Sequence, residues 1–421
     1  MRCNSGMPTE SQLIGSSDRL LAARALRPSH HGSVAGRARP PLLTRREFFT
    51  MSAAAVVLPL VPALAAAFAT ETEFYRDWLG TTLVEGQYHL TDRPNLLEGA
   101  ERMLALGTRV GKFWFEPHRA ARDYPWNSAW PEMRTLRDLA ASPYWREVFA
   151  LPFRTMFLET HSPAEGGWNS DPGPAREARI RAEWEELLAF LYAEHGDLPL
   201  TLVLQNWEGD WQLRGLGVLW DDPPADWRER CARYARRLAA RQAAVTAMRA
   251  AHPGARLRVL HAAEVNRVAD QWRGIPTLTE HVLPHVELDL VSYSCYDAMD
   301  DGATLTRAID TIRRFARTAG PLGAGAVCLG EIGIPEMARP ERIPARWREL
   351  LAAARAAQVH WVVQWALYCN ESDNRHQPQP KPSVTDPARL QGFWLLRPDG
   401  SLSETGRVFS ALWQTGSFPP S

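Results

Sequence analysis

The segments Thr201–Glu208 (TLVLQNWE) and Ala326–Glu331 (AVCLGE) are the most informative stretches of this 421-residue sequence. Each is an apolar run of strand length that ends in a glutamate and precedes a long helical pattern of apolar spacing. Each glutamate therefore falls where a parallel strand becomes a loop. In a closed barrel of alternating strands and helices, that edge carries the catalytic groups.

Six further strand-like runs accompany these two. The eight predicted strands cover residues 81–88, 109–116, 153–160, 199–208, 256–264, 288–296, 326–334 and 360–368. Helical patterns alternate with them at residues 95–106, 131–150, 175–195, 225–251, 276–284, 303–318 and 344–357, and a closing helix is predicted at residues 403–414. Strict alternation indicates a parallel sheet, and eight repeats indicate closure of that sheet.

The sequence therefore predicts an α/β protein that forms one (β/α)8 TIM barrel over residues 70–421. Long insertions after strands two, three and four predict extended loops at the carboxyl ends of the strands. An open α/β sheet of seven or eight strands is the alternative, because the fifth strand and the short helix after it have the weakest patterns.

The first 69 residues read as a disordered leader that ends in an export signal. Thr44–Phe49 (TRREFF) resembles the twin-arginine motif, residues 51–66 are mildly apolar, and Ala67-Phe68-Ala69 is a small-residue cleavage site. The apolar run is shorter than the ~20 residues that a membrane helix needs. We therefore expect export through the twin-arginine machinery, cleavage after Ala69, a periplasmic or secreted location, and no membrane span in the mature chain.

Charge and motif content exclude several classes of function. Residues 1–69 hold eight of the 48 basic and three of the 48 acidic residues, so the remainder has a net charge of −5. A mildly acidic surface disfavours nucleic acid and anionic membranes as partners. No GxGxxG follows the first strand, there is no Walker lysine, and no Cys or His spacing suggests a metal site. We expect neither a metal nor an organic cofactor. A disulfide between Cys295 and Cys328 is possible after export, but no sequence pattern supports it.

Both strand-end glutamates are predicted to face the barrel interior, because side chains alternate along a strand. The expected inward sets are Leu202, Leu204, Asn206 and Glu208 on strand four, and Val327, Leu329 and Glu331 on strand seven. Two such carboxylates would face each other across the barrel mouth. Retaining glycosidases use two carboxylates about 5 Å apart, one as nucleophile and one as acid/base.

With glutamates at the ends of strands four and seven, the chain resembles clan A of the glycoside hydrolases. The resemblance implies that Glu208 is the acid/base and Glu331 the nucleophile of a retaining mechanism on a β-linked glycan. Clan members usually end strand four with Asn-Glu, whereas this chain has Asn206-Trp207-Glu208. Either a bulge restores the geometry, or Asp210 or Glu159 serves as the acid.

Further strand ends fit the resemblance in part. Ser292–Tyr296 (SYSCY) is similar to the Ser-x-His-x-Tyr of cellulase-like members, which implies that Tyr296 hydrogen-bonds the nucleophile. Trp365 matches the strand-eight tryptophan that forms the floor of the first sugar subsite. The arginine that the clan carries on strand two is absent here, and Lys112 is the cation nearest to that position.

Three other side chains are expected to bind substrate. The resemblance implies that Asn206 binds the sugar 2-hydroxyl. Trp207 is one of several loop tryptophans whose rings can stack on a sugar face, and His161 lies at a strand end where it can bind hydroxyls. We therefore expect an oligosaccharide or polysaccharide as substrate. A catalytically inactive glycan-binding TIM barrel, or a barrel hydrolase or lyase acting on a non-sugar substrate, remain as alternatives.

Export should depend on the arginine pair, because the twin-arginine receptor reads it directly. Replacing both residues, Arg45→Lys and Arg46→Lys, is expected to leave uncleaved precursor in the cytoplasm in a fractionation experiment. Arg37→Lys with Arg39→Lys is the matched control and should be exported normally. Normal export of the Arg45/Arg46 variant would contradict the assignment of the signal.

Overall fold

Eight parallel strands close into a barrel in the computed structural model, which describes residues 70–167, 173–215, 217–337, 339–372 and 383–420. The strands are β1 (Leu79–Leu83), β2 (Val110–Phe115), β3 (Thr155–Thr160), β4 (Thr201–Gln205), β5 (Arg258–Val265), β6 (Leu290–Ser294), β7 (Val327–Ile332) and β8 (Val362–Gln364). Closure comes from parallel pairing of β8 with β1. The predicted barrel is confirmed and the open sheet is wrong. The export signal lies outside the described residues and stays a prediction.

The helices cover the outside of the barrel. They are α1 (Glu71–Trp78), α2 (Asn95–Leu106), α3 (Ala120–Asp123), α4 (Leu136–Ala141), α5 (Pro143–Ala150), α6 (Gly173–His195), α7 (Gly209–Arg214), α8 (Trp227–Ala251), α9 (Val268–Gln271), α10 (Leu278–His281), α11 (Gly302–Phe315), α12 (Ile343–Ala356) and α13 (Glu404–Thr415). Short 3₁₀ turns lie at Pro163–Glu165, Leu283–His285, Pro340–Arg342 and Pro387–Arg389, and Glu287–Leu288 pairs with Arg317–Thr318 outside the barrel.

The helix predicted at residues 131–150 is two helices, α4 and α5. Ser142 is extended, with φ −62° and ψ 151°, and Pro143 follows at the first position of α5. A residue before proline is disfavoured in helical geometry, so the chain breaks there and begins a new helix. In the described part of the chain, none of the helices is long and apolar enough to cross a bilayer. The four cysteines in that part are buried free thiols, so the disulfide between Cys295 and Cys328 that the sequence left possible does not form.

The barrel interior changes from apolar to polar toward the carboxyl ends of its strands. Phe157, Val203 and Ala262 belong to a buried apolar cluster made of strand residues and the segments beside them. The inward positions two residues further along are Glu159, Gln205 and Glu264, all buried. Glu159 pairs in register with Gln205, and Gln205 pairs with Ala262, so Glu264 lies two residues further along β5 than this row. Its side chain still meets the row, because Gln205 Nε2 donates to Glu264 Oε1 at 2.8 Å.

The predicted inward faces of β4 and β7 were wrong below the glutamates. Leu202, Leu204, Val327 and Leu329 pack in the core shared with the surrounding helices, whereas Val203 and Cys328 fill the barrel. The alternation is shifted by an irregularity in β7. Ser292 pairs with Cys328, but Ser294 pairs with Glu331, so β7 uses one residue more than β6 over the same length.

Gly330 makes this irregularity possible. A Cβ at position 330 would lie 1.8 Å from Ser292 Oγ and 2.8 Å from Glu264 Oε1. Since glycine has no Cβ, β7 can approach the barrel interior at this point. The extra residue then turns Glu331 inward, where its Oε2 lies 3.5 Å from Lys112 Nζ.

Gly330→Ala is expected to destabilise the fold, because the added methyl group overlaps two buried polar side chains. Overpacking of this kind costs about 1–3 kcal/mol, measurable as a lower midpoint in urea or heat denaturation. Gly254→Ala is the matched control, because a Cβ there meets nothing within 4 Å and the glycine is exposed. Equal midpoints for the two variants would contradict the packing argument.

Candidate active site

A buried ammonium group lies at the centre of the barrel mouth. Lys112 Nζ, on β2, is 2.7 Å from Glu159 Oε1 on β3 and 3.1 Å from Glu264 Oε1 on β5. It also donates to the carbonyl oxygen of Gly330 at 3.1 Å and lies 3.5 Å from Glu331 Oε2 on β7. Burial works against the charged form of Lys112, but the three carboxyl groups together hold its pKa well above the ordinary value.

Glu264 is the most connected of these carboxyl groups. Its Oε1 accepts hydrogen bonds from Lys112 Nζ, from Gln205 Nε2 at 2.8 Å and from Ser292 Oγ at 3.1 Å. Its Oε2 accepts the backbone N–H of Glu208 at 2.9 Å. Glu264 was not among the site residues predicted from the sequence, although the predicted strand RLRVLHAAE also ends in a glutamate. The same strand-end signal could have found it.

Asn206 attaches the end of β4 to β5. Its carboxamide oxygen accepts the backbone N–H of Glu264 at 3.2 Å, and its Nδ2 donates to the backbone oxygen of Glu264 at 3.1 Å. The side chain thereby extends the ladder by one step after β4 has ended at Gln205. These bonds engage the group that was expected to bind a sugar hydroxyl, and they give Asn206 a structural role.

Glu208 turns back into the barrel two residues later. Its backbone has φ 25° and ψ 70°, a conformation that non-glycine residues rarely adopt. This turn accommodates the extra residue of Asn206-Trp207-Glu208. The carboxyl group is buried, and its Oε1 accepts a hydrogen bond from Ser294 Oγ at 2.7 Å. Since Ser294 pairs with Glu331 on the next strand, the two glutamates lie at one level of the mouth.

The environments of Glu208 and Glu159 favour their neutral forms. Burial raises the pKa of Glu208 to about 8; the Ser294 hydroxyl opposes this shift, and the charge of Glu264 adds to it. Burial also raises the pKa of Glu159 to about 8, with a further contribution from Glu264 and opposition from Lys112. At neutral pH the protonated form of each carboxyl group is therefore favoured.

The two alternative acids differ in their surroundings. Asp210 is fully buried, and its oxygens accept the backbone N–H groups of Asn266, Arg267 and Leu278. It therefore ties α7 to the segment after β5. Glu159 lies one level deeper, where its Oε1 accepts from Lys112 and Gln205.

Aromatic side chains form the wall of the mouth above these groups. Trp365 packs edge-on against Trp114, with ring centroids 5.5 Å apart, and the Trp365–Ala366 peptide bond is cis. Tyr296 and Trp207 are half-buried and pack against the same aromatic cluster. Burial raises the pKa of Tyr296 well above its ordinary value, and the charges of Glu331, Glu371 and Glu208 add to the shift.

Two polar atoms in this wall are buried and find no hydrogen-bond partner among the described residues. They are Tyr296 Oη and Trp365 Nε1. A Cβ at Gly333 would lie 3.1 Å from Tyr296 Oη and 2.8 Å from the Trp365 carbonyl oxygen, so both residues pack closely against Gly333. A buried donor without a partner is costly, and a ligand hydroxyl or a water molecule could satisfy each.

His161 belongs to a different cluster. Its Nδ1 lies 3.8 Å from Glu165 Oε2, and Glu165 forms a two-pronged ion pair with Arg241 of α8. Burial lowers the pKa of His161. No described group of three or more His, Cys, Asp or Glu side chains could hold a metal ion. A groove of about 560 Å³ between α9 and α11 contains none of the mouth residues.

The barrel is similar to solved structures of glycoside hydrolases. An exo-β-1,4-mannosidase from Opitutaceae bacterium strain TAV5 has 15% identity and a TM-score of 0.46, and the match covers 80% of this chain and 59% of that one. This chain thus spans less than two thirds of the mannosidase. A Bacteroidetes-affiliated family 5 cellulase has 13% identity, coverage of 83% and 95%, and a TM-score of 0.44.

A family 26 endo-β-1,4-mannanase from Cellulomonas fimi has 15% identity, coverage of 83% and 77%, and a TM-score of 0.40. No protein-family model and no curated relative matches the sequence. Similarity at this level concerns the course of the backbone, so the chemistry has to be argued from the side chains.

Stability is expected to fall as pH rises from about 5 to about 8. In the unfolded chain, glutamate ionises near its ordinary pKa of 4.5, whereas folded Glu159 and Glu208 keep their protons up to about 8. Between these values the folded state binds more protons, so raising the pH favours unfolding. Glu159→Gln combined with Glu208→Gln should flatten the dependence of the thermal midpoint on pH.

The slope should not vanish in that variant, because burial also raises the pKa of Asp123 to about 8. Glu341→Gln is the control and should keep the full slope, since Glu341 is exposed. A double variant with the same slope as the parent protein would show that the two carboxyl groups ionise normally in the folded state.

Proposed function

We propose that this protein is a retaining glycoside hydrolase with Glu331 as nucleophile and Glu208 as acid/base. The observation that carries the proposal is the contrast between the two carboxyl groups. Glu331 lies beside the ammonium of Lys112, which favours a carboxylate. Glu208 is buried with a pKa raised to about 8, which favours a carboxylic acid at neutral pH. Pairs of titratable groups with opposed environments are typical of acid/base catalysis.

The reaction would proceed in two displacements. The Glu331 carboxylate attacks the anomeric carbon, while Glu208 gives its proton to the departing glycosidic oxygen. Glu208 is then ionised and removes a proton from water, and that water releases the sugar from Glu331. The short link through Ser294, which pairs with Glu331 and hydrogen-bonds Glu208, supports the close approach that this mechanism needs.

The mouth supports an oligosaccharide or polysaccharide as substrate, and we propose a β-linked one from the resemblance of the strand-end motifs. Tyr296 Oη and Trp365 Nε1 are buried polar atoms without partners among the described residues, and a sugar hydroxyl could satisfy each. Trp207 offers a half-buried indole at the rim for stacking on a sugar ring. We propose in addition that the enzyme is exported through the twin-arginine route, on the strength of the TRREFF motif alone.

A screen of purified protein against aryl β-glycosides, β-glucans, mannans and xylans tests the proposal. Glu331→Ala and Glu208→Gln should each lower kcat roughly 10²–10⁴-fold, because each removes a group that acts in the transition state. Azide should partly restore activity to Glu331→Gly and give a glycosyl azide of inverted configuration. Glu341→Gln is the control and should retain parental kinetics.

Each alternative predicts a different result. A glycan-binding barrel without catalysis would bind a polysaccharide in the screen, yet release no reducing ends at any pH. A hydrolase or lyase for another substrate would show neither binding nor turnover of any glycan. Parental activity in Glu331→Ala would remove the nucleophile assignment whatever the substrate.

A further inference from the structure

We propose that Glu264 is the positioning residue for the acid/base, and that its carboxylate holds the loop that carries Glu208 in the reactive geometry. This inference rests on the proposed function. Glu264 is not aimed at the substrate space, because both of its oxygens are engaged by protein donors. It acts through Glu208 and through Lys112.

The loop that carries Glu208 begins where the regular ladder of β4 stops. β4 ends at Gln205, which pairs with Glu159 on β3 and with Ala262 on β5. Beyond it, β5 holds the chain through Glu264: its backbone binds the Asn206 side chain, and its carboxylate binds the Glu208 N–H at 2.9 Å. Since Glu208 has φ 25°, its backbone depends on such contacts to stay in an unfavourable conformation.

The two oxygens of Glu264 accept unequal numbers of hydrogen bonds, and this difference allows a specific test. Its Oε1 faces three donors, from Lys112, Gln205 and Ser292, and its Oε2 faces one, the N–H of Glu208. Glutamine at position 264 has the same shape but one oxygen and one NH₂ group. Its oxygen will turn toward the three donors, so its NH₂ meets the Glu208 N–H and that hydrogen bond is lost.

Several charged or polar groups face Glu208, and each contributes to its proton affinity. Lys112 lies on β2, Glu159 on β3, Glu264 on β5 and Ser294 on β6, and Tyr296 follows β6 in the same mouth. Loss of the Glu264 charge should make Glu208 more acidic, whereas loss of the Ser294 hydroxyl should make it less acidic. The two substitutions therefore shift the pKa of Glu208 in opposite directions.

The experiment compares four variants by pH profile and thermal midpoint. Glu264→Gln should lower kcat/KM about 10-fold to 100-fold, because the acid is misplaced, and should move the upper limb of the profile to lower pH by about half a unit or more. Ser294→Ala should move that limb to higher pH. Glu264→Asp keeps the charge but loses reach, so it should lower kcat with the upper limb unmoved.

Glu159→Gln is the matched control. It changes the same Lys112 environment without touching the Glu208 loop, so its upper limb should move less than that of Glu264→Gln. Equal shifts of the upper limb in both variants would overturn the inference, because they would show that the total charge near Lys112, and not the hydrogen bond to the Glu208 loop, sets the pKa of the acid. Unchanged pH limbs in Glu264→Gln, with loss of activity explained by a lower thermal midpoint alone, would overturn it in favour of a structural role.

A measurement without substrate separates this inference from the proposed function. Carbon-13 NMR of glutamate-labelled protein should show two carboxyl groups titrating near pH 8, assigned by their loss in Glu208→Gln and Glu159→Gln. The Glu208 signal should titrate at lower pH in Glu264→Gln. If that shift occurs but the parent protein cleaves no glycoside, the proposed function fails and the linkage of Glu264 to Glu208 stands. An unshifted signal overturns the linkage.

Discussion

The ion cluster around Lys112 is the constraint on which the mouth of this barrel depends. One ammonium group shares a buried space with the carboxyl groups of Glu159, Glu264 and Glu331, and Glu208 lies just beyond them. A single positive charge cannot compensate four negative ones at such separations. Protons must therefore remain on some of the carboxyl groups at neutral pH. Burial raises the pKa of Glu159 and of Glu208 to about 8, so these two groups favour the protonated form. Glu159 does so although its Oε1 is only 2.7 Å from the ammonium.

Two local irregularities bring the glutamates to this cluster. In a regular β7, Glu331 would continue the outward set of Val327 and Leu329, and in a regular β4, Glu208 would continue that of Leu202 and Leu204. The extra residue at Gly330 shifts one strand, and the positive φ of Glu208 turns the other. The departure of Asn206-Trp207-Glu208 from Asn-Glu is thus absorbed by the backbone. The structure thus combines regular strands with two irregular strand ends that turn the glutamates inward.

These features divide what the sequence could reveal from what it could not. Alternation of apolar runs identified all eight strands, because burial of both faces of a parallel sheet leaves a strong local pattern. The prediction of which side chains face the barrel interior was wrong for β4 and β7. A bulge depends on contacts between residues distant in sequence, such as Gly330 and Ser292. Lys112 was found as a cation on strand two, but its acidic partners come from three other strands. Glu264 also ends a predicted strand, so the sequence could have suggested it. Its importance is evident only from its hydrogen bonds to Lys112 and to the Glu208 backbone.

The identity of Lys112 follows from the same geometry. The chain uses arginine almost throughout, and its two lysines are Lys112 and Lys381. A guanidinium group presents its donors in one plane and suits a single carboxylate or two in that plane, as Arg241 does with Glu165. An ammonium group presents three donors in three directions. Here the close acceptors are Glu159, Glu264 and the Gly330 carbonyl, on β3, β5 and β7. Acceptors on three strands that curve around one point need a compact, three-directional donor, and a planar fork of arginine's size would leave at least one of them buried without a partner.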